Sequence, residues 1–285
     1  MILKNIVFSS LLVLFFIGGD CFSSTINKSS IVTTQNIGNE IMNDRELQLI
    51  KDKVNNADSS AQLIKVLHIG DSHIKAGIFS QQFMEKLNDY YSEKKHGNLF
   101  FNFQWFCKIG TKYSDYNELA ELNTQLINEQ PDLVIISLGV NDAFSGSSQT
   151  NFYEKVDHLI KKIKKLSPQS CILIITPSDA LKYDKAKGTY LALPEIKNVV
   201  NTLVKYANDN GIAYWNLYEV MGGEYSINSW FAKKMVQPDR IHFTAKGYGM
   251  LAEWLFTAFI NSMLSNSSAV NYNPIPYKKS CHVSN

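Results

Sequence analysis

The sequence predicts an α/β protein: a three-layer α/β/α sandwich built on a five-stranded parallel sheet. Three observations carry this. Short apolar runs alternate with longer segments whose apolar residues recur at helical spacing. One run, residues 132–138 (Asp-Leu-Val-Ile-Ile-Ser-Leu), is almost continuously apolar, as a central parallel strand covered on both faces should be. Polar turn residues gather just past the ends of these runs, where such a sheet presents its reactive loops.

Residues 64–69 read as the first strand, which ends in Gly70-Asp71-Ser72. Residues 74–91 follow as a helix with Ile78, Phe79, Phe83, Leu87 and Tyr90 at helical spacing. Residues 99–106 form the second strand, and 116–129 a helix with Leu119, Leu122, Leu126 and Ile127 inward. The third strand is 132–138. The helix after it, 152–166, carries a stripe of Phe152, Val156, Leu159, Ile163 and Leu166, with Pro168 just past its end. Cys171–Ile175 is the fourth strand, closed by Thr176-Pro177. Residues 195–210 form a helix with Pro194 at its entrance and Gly211 at its exit, the usual placement of those two residues. Residues 212–217 are the fifth strand. The last helix, Ala245–Leu264, is capped by Thr244 and turns Tyr248, Leu251, Leu255, Phe259 and Met263 to one side.

The ends of the chain read differently. Lys4, an apolar run over 6–17 and then small and polar residues make residues 1–23 a signal peptide, too short in its apolar part for a membrane span. The expectation is an exported protein of the periplasm or cell envelope, with no stable membrane span. Cys21 suggests a lipid anchor, but Asp20 before it is a poor cleavage residue. Residues 24–60 read as a polar linker with one short helix around 45–54, residues 61–266 as the folded domain, and 267–285 as a flexible tail. Cys107, Cys171 and Cys281 remain after the leader, an odd number that leaves at least one free thiol.

Composition excludes some functions. With 45% hydrophobic and 19% charged residues the chain can build a substantial core, and a net charge of +2 gives no reason to expect a polyanionic partner. The cluster Lys161-Lys162-Ile163-Lys164-Lys165 fits a solvated helix face better than a nucleic-acid site. No spacing resembles a metal site, so neither metal nor cofactor is expected; the chain is read as a monomer.

The strand ends supply a short set of reactive groups. Ser72 follows the first strand, where its hydroxyl and its own N–H both face outward at a helix start. His242 can take the serine proton, and Asp239, three residues earlier, can hold the other ring nitrogen. The backbone N–H groups of Ser72 and Gly110 and the side-chain amide of Asn141 can hold an oxyanion. Each has a plainer reading as a turn or cap residue: Asp71 or Ser72 as helix cap, Asn141 and Asp142 as a turn, Gly110 as a turn glycine. Their joint placement at the correct strand ends favours catalysis. Asp71, His73 and Asp142 are read as residues behind the reacting groups or beside the substrate, and His68 as a core histidine. Trp230, before Asp239, is placed as an aromatic wall of the substrate pocket.

Gly70-Asp71-Ser72, Gly110, Gly139-Val140-Asn141-Asp142 and Asp239-Arg240-Ile241-His242 together resemble the four sequence blocks of the SGNH (GDSL) hydrolase superfamily. The resemblance implies a flavodoxin-like fold and a serine nucleophile at Ser72. It also implies a triad completed by Asp239 and His242, and an oxyanion hole of Ser72, Gly110 and Asn141. A narrower likeness runs through His68 to Ile74, through Met221-Gly222-Gly223 and Trp230, and through Asp239 to Thr244. It is to periplasmic peptidoglycan O-acetylesterases. Several of these carry a carbohydrate-binding module between the serine and glycine blocks, and residues 73–109 are too few to hold one. The expectation is therefore an exported serine esterase that removes acetyl groups from carbohydrate, with acylated cell-wall glycan as its partner. A lipid or aryl esterase, an O-acyltransferase, or a glycan-binding protein with a dormant site are the alternatives.

Overall fold

The computed structural model describes residues 38–57, 60–93, 98–146 and 148–265. The signal peptide, Cys21, the flexible tail and Cys281 fall outside the described residues. Strand β2 (Gln62–Gly70) lies one place in from the sheet edge, between the edge strand β3 (Leu99–Cys107) and β4 (Leu133–Ser137), parallel to both. Beyond β4 the parallel set continues with β5 (Cys171–Ile175) and β8 (Ala213–Trp215). These are the five expected strands. Alternation along each strand feeds two cores. Leu133 and Ile135 of β4 and Cys171, Leu173 and Ile175 of β5 face one layer, while Val134, Ile136, Ile172 and Ile174 face the other.

The first layer is packed by α3 (Ile78–Glu93) and α11 (Ala245–Leu264), the second by α5 (Ala120–Glu129), α7 (Gln149–Leu166) and α8 (Pro194–Asn210). Helix α8 begins on Pro194 and ends with Gly211 in the left-handed conformation (φ 65°), and Thr244 caps α11 by accepting from the Gly247 N–H. Two expected helices are each divided. The segment after Ser72 is α2 (Ser72–Lys75) and α3, broken at Gly77 (φ 74°). The segment before β4 is α4 (Tyr113–Glu118) and α5, because Leu119 between them is extended (φ −76°, ψ 110°). Within α5, Leu122 and Leu126 are buried as expected, but Ile127, about 100° round the helix from Leu126, points outward and is 53% exposed.

Two features depart from the expected sheet. The polar linker reading fails for residues 38–57. Strand β1 (Ile41–Met42) adds a sixth, antiparallel strand to the β8 edge, and α1 (Gln48–Asn56) packs Ile50 and Val54 into the first core. The polar residues that suggested a linker point inward at groups that need partners. Asn43 Nδ2 donates to the carbonyls of Ala207 and Ile212, and Glu46 accepts from the Ile172 N–H and from Lys164. Lys51, fully buried, is paired with Asp44 at 2.7 Å. The second departure is a hairpin, β6 (Leu181–Asp184) with β7 (Thr189–Ala192), between β5 and α8. No helix of the described residues is long and apolar enough to cross a membrane.

Candidate active site

The site lies at the carboxyl edge of the sheet, where β2, β4 and β5 end. Gly70 closes β2, and a Cβ there would run into the Ile74 side chain, so only glycine lets α2 fold back over the strand end. Asp71 is the N-cap of α2 and accepts from the His73 N–H at 3.0 Å. Ser72 is thus the first residue of a helix held directly against the sheet. Gly139 does the equivalent work after β4: its backbone sits at φ 124°, and a Cβ would meet Val199 at 2.9 Å. Asn141 follows on the short helix α6 (Val140–Phe144).

The third contributor is the loop before α11. Asp239 Oδ1 accepts from the backbone N–H groups of Ile241 and His242, both at 3.0 Å, which curls the loop so that aspartate and imidazole meet. Asp239 Oδ2 lies 2.7 Å from His242 Nδ1, and His242 Nε2 lies 2.9 Å from Ser72 Oγ. Partial burial raises the Asp239 pKa, but the hydrogen bonds from His242 and the two backbone amides outweigh it, so this carboxyl is held below its ordinary value. An ionised aspartate at Nδ1 fixes the His242 tautomer with a free lone pair at Nε2, facing the serine hydroxyl. Such a relay can move the serine proton in acyl transfer.

The structure brings the other expected residues to the same edge in different ways. Asn141 donates both amide hydrogens, to Asp71 Oδ2 at 3.0 Å and to the Thr111 carbonyl at 3.1 Å. Asp71, 1% exposed, therefore orients Asn141 as well as capping α2. An oxyanion at Asn141 has to take over one of these two hydrogens. Gly110 is exposed with φ 74°, and no atom lies within 4 Å of where its Cβ would be, so its backbone stands open to an approaching group. Asp142 is fully buried and so is not beside substrate. Its Oδ2 accepts from the Tyr113 N–H at 3.3 Å, which ties the Gly110 loop to α6. Burial pushes its pKa up to about 6.

Trp230 corrects the expected pocket wall. It is 5% exposed, set edge-on to Phe243 and Trp254 with ring centroids 5.6 and 5.1 Å away, and belongs to the first core. Its aromatic faces are used in packing, because α10 (Ser226–Ala232), which follows the short helix α9 (Leu217–Met221), turns it toward α11 and away from solvent. His68 is the core histidine expected, 0% exposed, with Ser80 Oγ 2.9 Å from Nδ1 and Ser137 Oγ 2.8 Å from Nε2.

Sequence reasoning missed Arg240, the second residue of the Asp-x-x-His block. Its backbone is left-handed (φ 59°), and its guanidinium carbon lies 3.1 Å from the Phe231 ring centroid and 5.5 Å from that of Tyr190 on the hairpin. Leu181 donates to the Arg240 carbonyl at 3.1 Å, and the Tyr190 hydroxyl to the Pro238 carbonyl at 2.9 Å. The hairpin braces the loop that presents Asp239 and His242. The left-handed arginine left no trace in composition or spacing; the exposed hairpin has too short a pattern to be read.

Fold and site together define a hydrolase of the SGNH type. Residues 69–250 match the GDSL-like Lipase/Acylhydrolase family, and the chain belongs to it. No curated protein matches the chain. Among solved structures, a peptidoglycan O-acetylesterase is similar with a TM-score of 0.66 and 16% identity, over 75% of this chain and 95% of that one. An acetyl xylan esterase is similar with a TM-score of 0.54 and 21% identity, covering 68% of this chain and 99% of that one. A lipase/acylhydrolase from Enterococcus faecalis gives a TM-score of 0.51 at 20% identity, over 68% and 93%. At these identities the likeness is one of fold.

Proposed function

We propose that the protein is an exported serine esterase that removes acetyl groups from carbohydrate, with O-acetylated peptidoglycan as its substrate. The observation that carries the reading is the relay Ser72–His242–Asp239, with contacts of 2.9 and 2.7 Å at the carboxyl edge of the sheet. Ser72 Oγ attacks the acetyl carbonyl and passes its proton to His242 Nε2, and Asp239 stabilises the imidazolium. The Ser72 and Gly110 N–H groups and the Asn141 amide hold the negative oxygen. The sugar hydroxyl leaves with the proton from His242. Water then repeats the sequence on the acetyl-serine and frees acetate. No step calls on a metal or cofactor.

The carbohydrate reading draws support from the fold shared with esterases of peptidoglycan and xylan and from the His68–Ile74 motif. The apolar leader motif supports export. The test is kcat/KM on acetyl, butyryl and octanoyl esters, followed by acetate release from O-acetylated peptidoglycan. Preference for acetyl together with acetate release is expected. A preference for octanoyl with no acetate released from glycan would replace this reading by a lipid esterase.

A further inference from the structure

We propose that His73, fixed by Tyr248, is the positioning residue of His242: a neutral imidazole that backs the catalytic ring while it takes up and returns the serine proton. The inference rests on the reading of Ser72 and His242 as the reacting pair. His73 directly follows the nucleophile on α2, and its ring centroid lies 5.1 Å from that of His242, with the planes tilted by 31°. Both nitrogens of His242 are engaged in its own plane, by Ser72 and Asp239. Those bonds set where the ring's edges point, but only packing keeps the ring from rocking about the line between them. His73 supplies packing at that face. Phe243 at 5.9 Å and Tyr248 at 6.3 Å hold His73 in turn.

The protonation of His73 follows from its partners. The Tyr248 hydroxyl meets Nδ1 at 3.3 Å. Burial raises the Tyr248 pKa, so the phenol keeps its proton and can turn it toward Nδ1. The ring's own proton then sits on Nε2, which is shielded and has no partner among the described residues. Burial also lowers the His73 pKa. His242 acts in the same direction, and Asp71 and Asp239 act against it without prevailing.

The setting explains why the ring remains uncharged. His73 lines a mainly apolar cavity of about 40 Å³ with Ile74, Phe79, Leu138, Ile175 and Leu251. A cation there would be poorly solvated and would face the imidazolium that His242 must become. A residue needed only to fill space would be served by leucine or phenylalanine. Histidine adds to a flat face the hydrogen bond with the Tyr248 phenol, which fixes where that face lies.

The test is a double-mutant cycle on kcat and KM for a short acetyl ester, using His73→Phe, Tyr248→Phe and the double variant. Ser72→Ala is the control for the reacting pair. His73→Phe should lower kcat about tenfold with KM changed less than about twofold, since a misplaced catalytic group costs chemistry rather than binding. Tyr248→Phe should lower kcat less, and the double variant should be no worse than His73→Phe, because Tyr248 acts through His73. An unchanged kcat in His73→Phe, or losses that simply multiply, would overturn the inference. If His73→Phe does not fold, Tyr248→Phe decides, and an unchanged kcat there overturns it. Activity surviving in Ser72→Ala would instead defeat the underlying reading of the reacting pair.

Discussion

Replacing His68 with glutamine isolates one buried proton equilibrium beneath the nucleophile. His68 sits on β2 with no exposed surface, and burial lowers its pKa to about 3 from the ordinary 6.5. As pH falls below 6.5 the unfolded chain takes up this proton and the folded chain does not. Stability from this group is therefore complete above pH 6.5 and is lost as pH falls toward 3. The loss at pH 5 is ~2 kcal/mol, from 1.5 pH units at ~1.4 kcal/mol each. The wild-type curve alone would hide it. Asp142 and Asp179 are pushed up to about 6 by burial, so over the same range they bind protons on folding and shift stability the opposite way. Urea unfolding of wild type and His68→Gln at pH 7.5, 6 and 5 separates the terms, because the two carboxyls are common to both proteins. The difference between the two proteins should shift by ~2 kcal/mol in favour of the variant between pH 7.5 and 5. A difference that stays constant with pH would refute a buried neutral His68.

Other expectations concern the site. Ser72→Ala and His242→Ala should each lower kcat for acetyl esters by about a thousandfold or more, with circular dichroism unchanged. Asn141→Ala should lower kcat about a hundredfold with KM little changed, as steady-state kinetics would show, because its amide is needed most when charge develops on the oxygen. Asp142→Asn should gain on wild type by ~2 kcal/mol between pH 4 and pH 8, since the raised pKa makes ionised Asp142 a cost that is complete above pH 6. Denaturant titrations at the two pH values measure it. Arg240→Ala should lower unfolding free energy by about 1–2 kcal/mol through the lost ring contacts. It should also reduce kcat, and Arg240→Lys should not restore it, because lysine has no planar group to lie between Phe231 and Tyr190.

The parts of the fold that were legible are those where period and burial agree. Cys171–Ile175 and Ala245–Leu264 have the bounds the sequence suggested, the first because it is apolar throughout and the second because Thr244 caps a long apolar face. Strand β1 was not legible. Two residues are too few for a pattern, and their neighbours Asn43, Asp44 and Glu46 look solvated until their distant partners are known. Ser72, Asp239 and His242 were legible from chemistry at strand ends. Trp230 misled because an aromatic residue near a site can equally belong to the core, and sequence position does not say which way a short helix turns. Tyr248 was placed correctly on the inward face of α11, yet its hydroxyl partner, His73, lies far away in sequence.

The antiparallel strand β1 and the residues around it join the two ends of the described chain. Asn39 donates to the Trp254 carbonyl and accepts from the Trp215 indole, and Asp44 accepts from the Ser262 and Ser265 hydroxyls of α11 and its cap. Asn39 and Trp254 are 215 residues apart in sequence. The contacts of Asn39 and Asp44 with α11 thus wait until that helix is complete. The free energy of closing so long a loop must be met before these contacts return anything, so they belong late in folding rather than in its nucleus. Strand β1 can pair with β8 once residues 213–215 are in place, but the clamp that fastens its flanks closes only with α11.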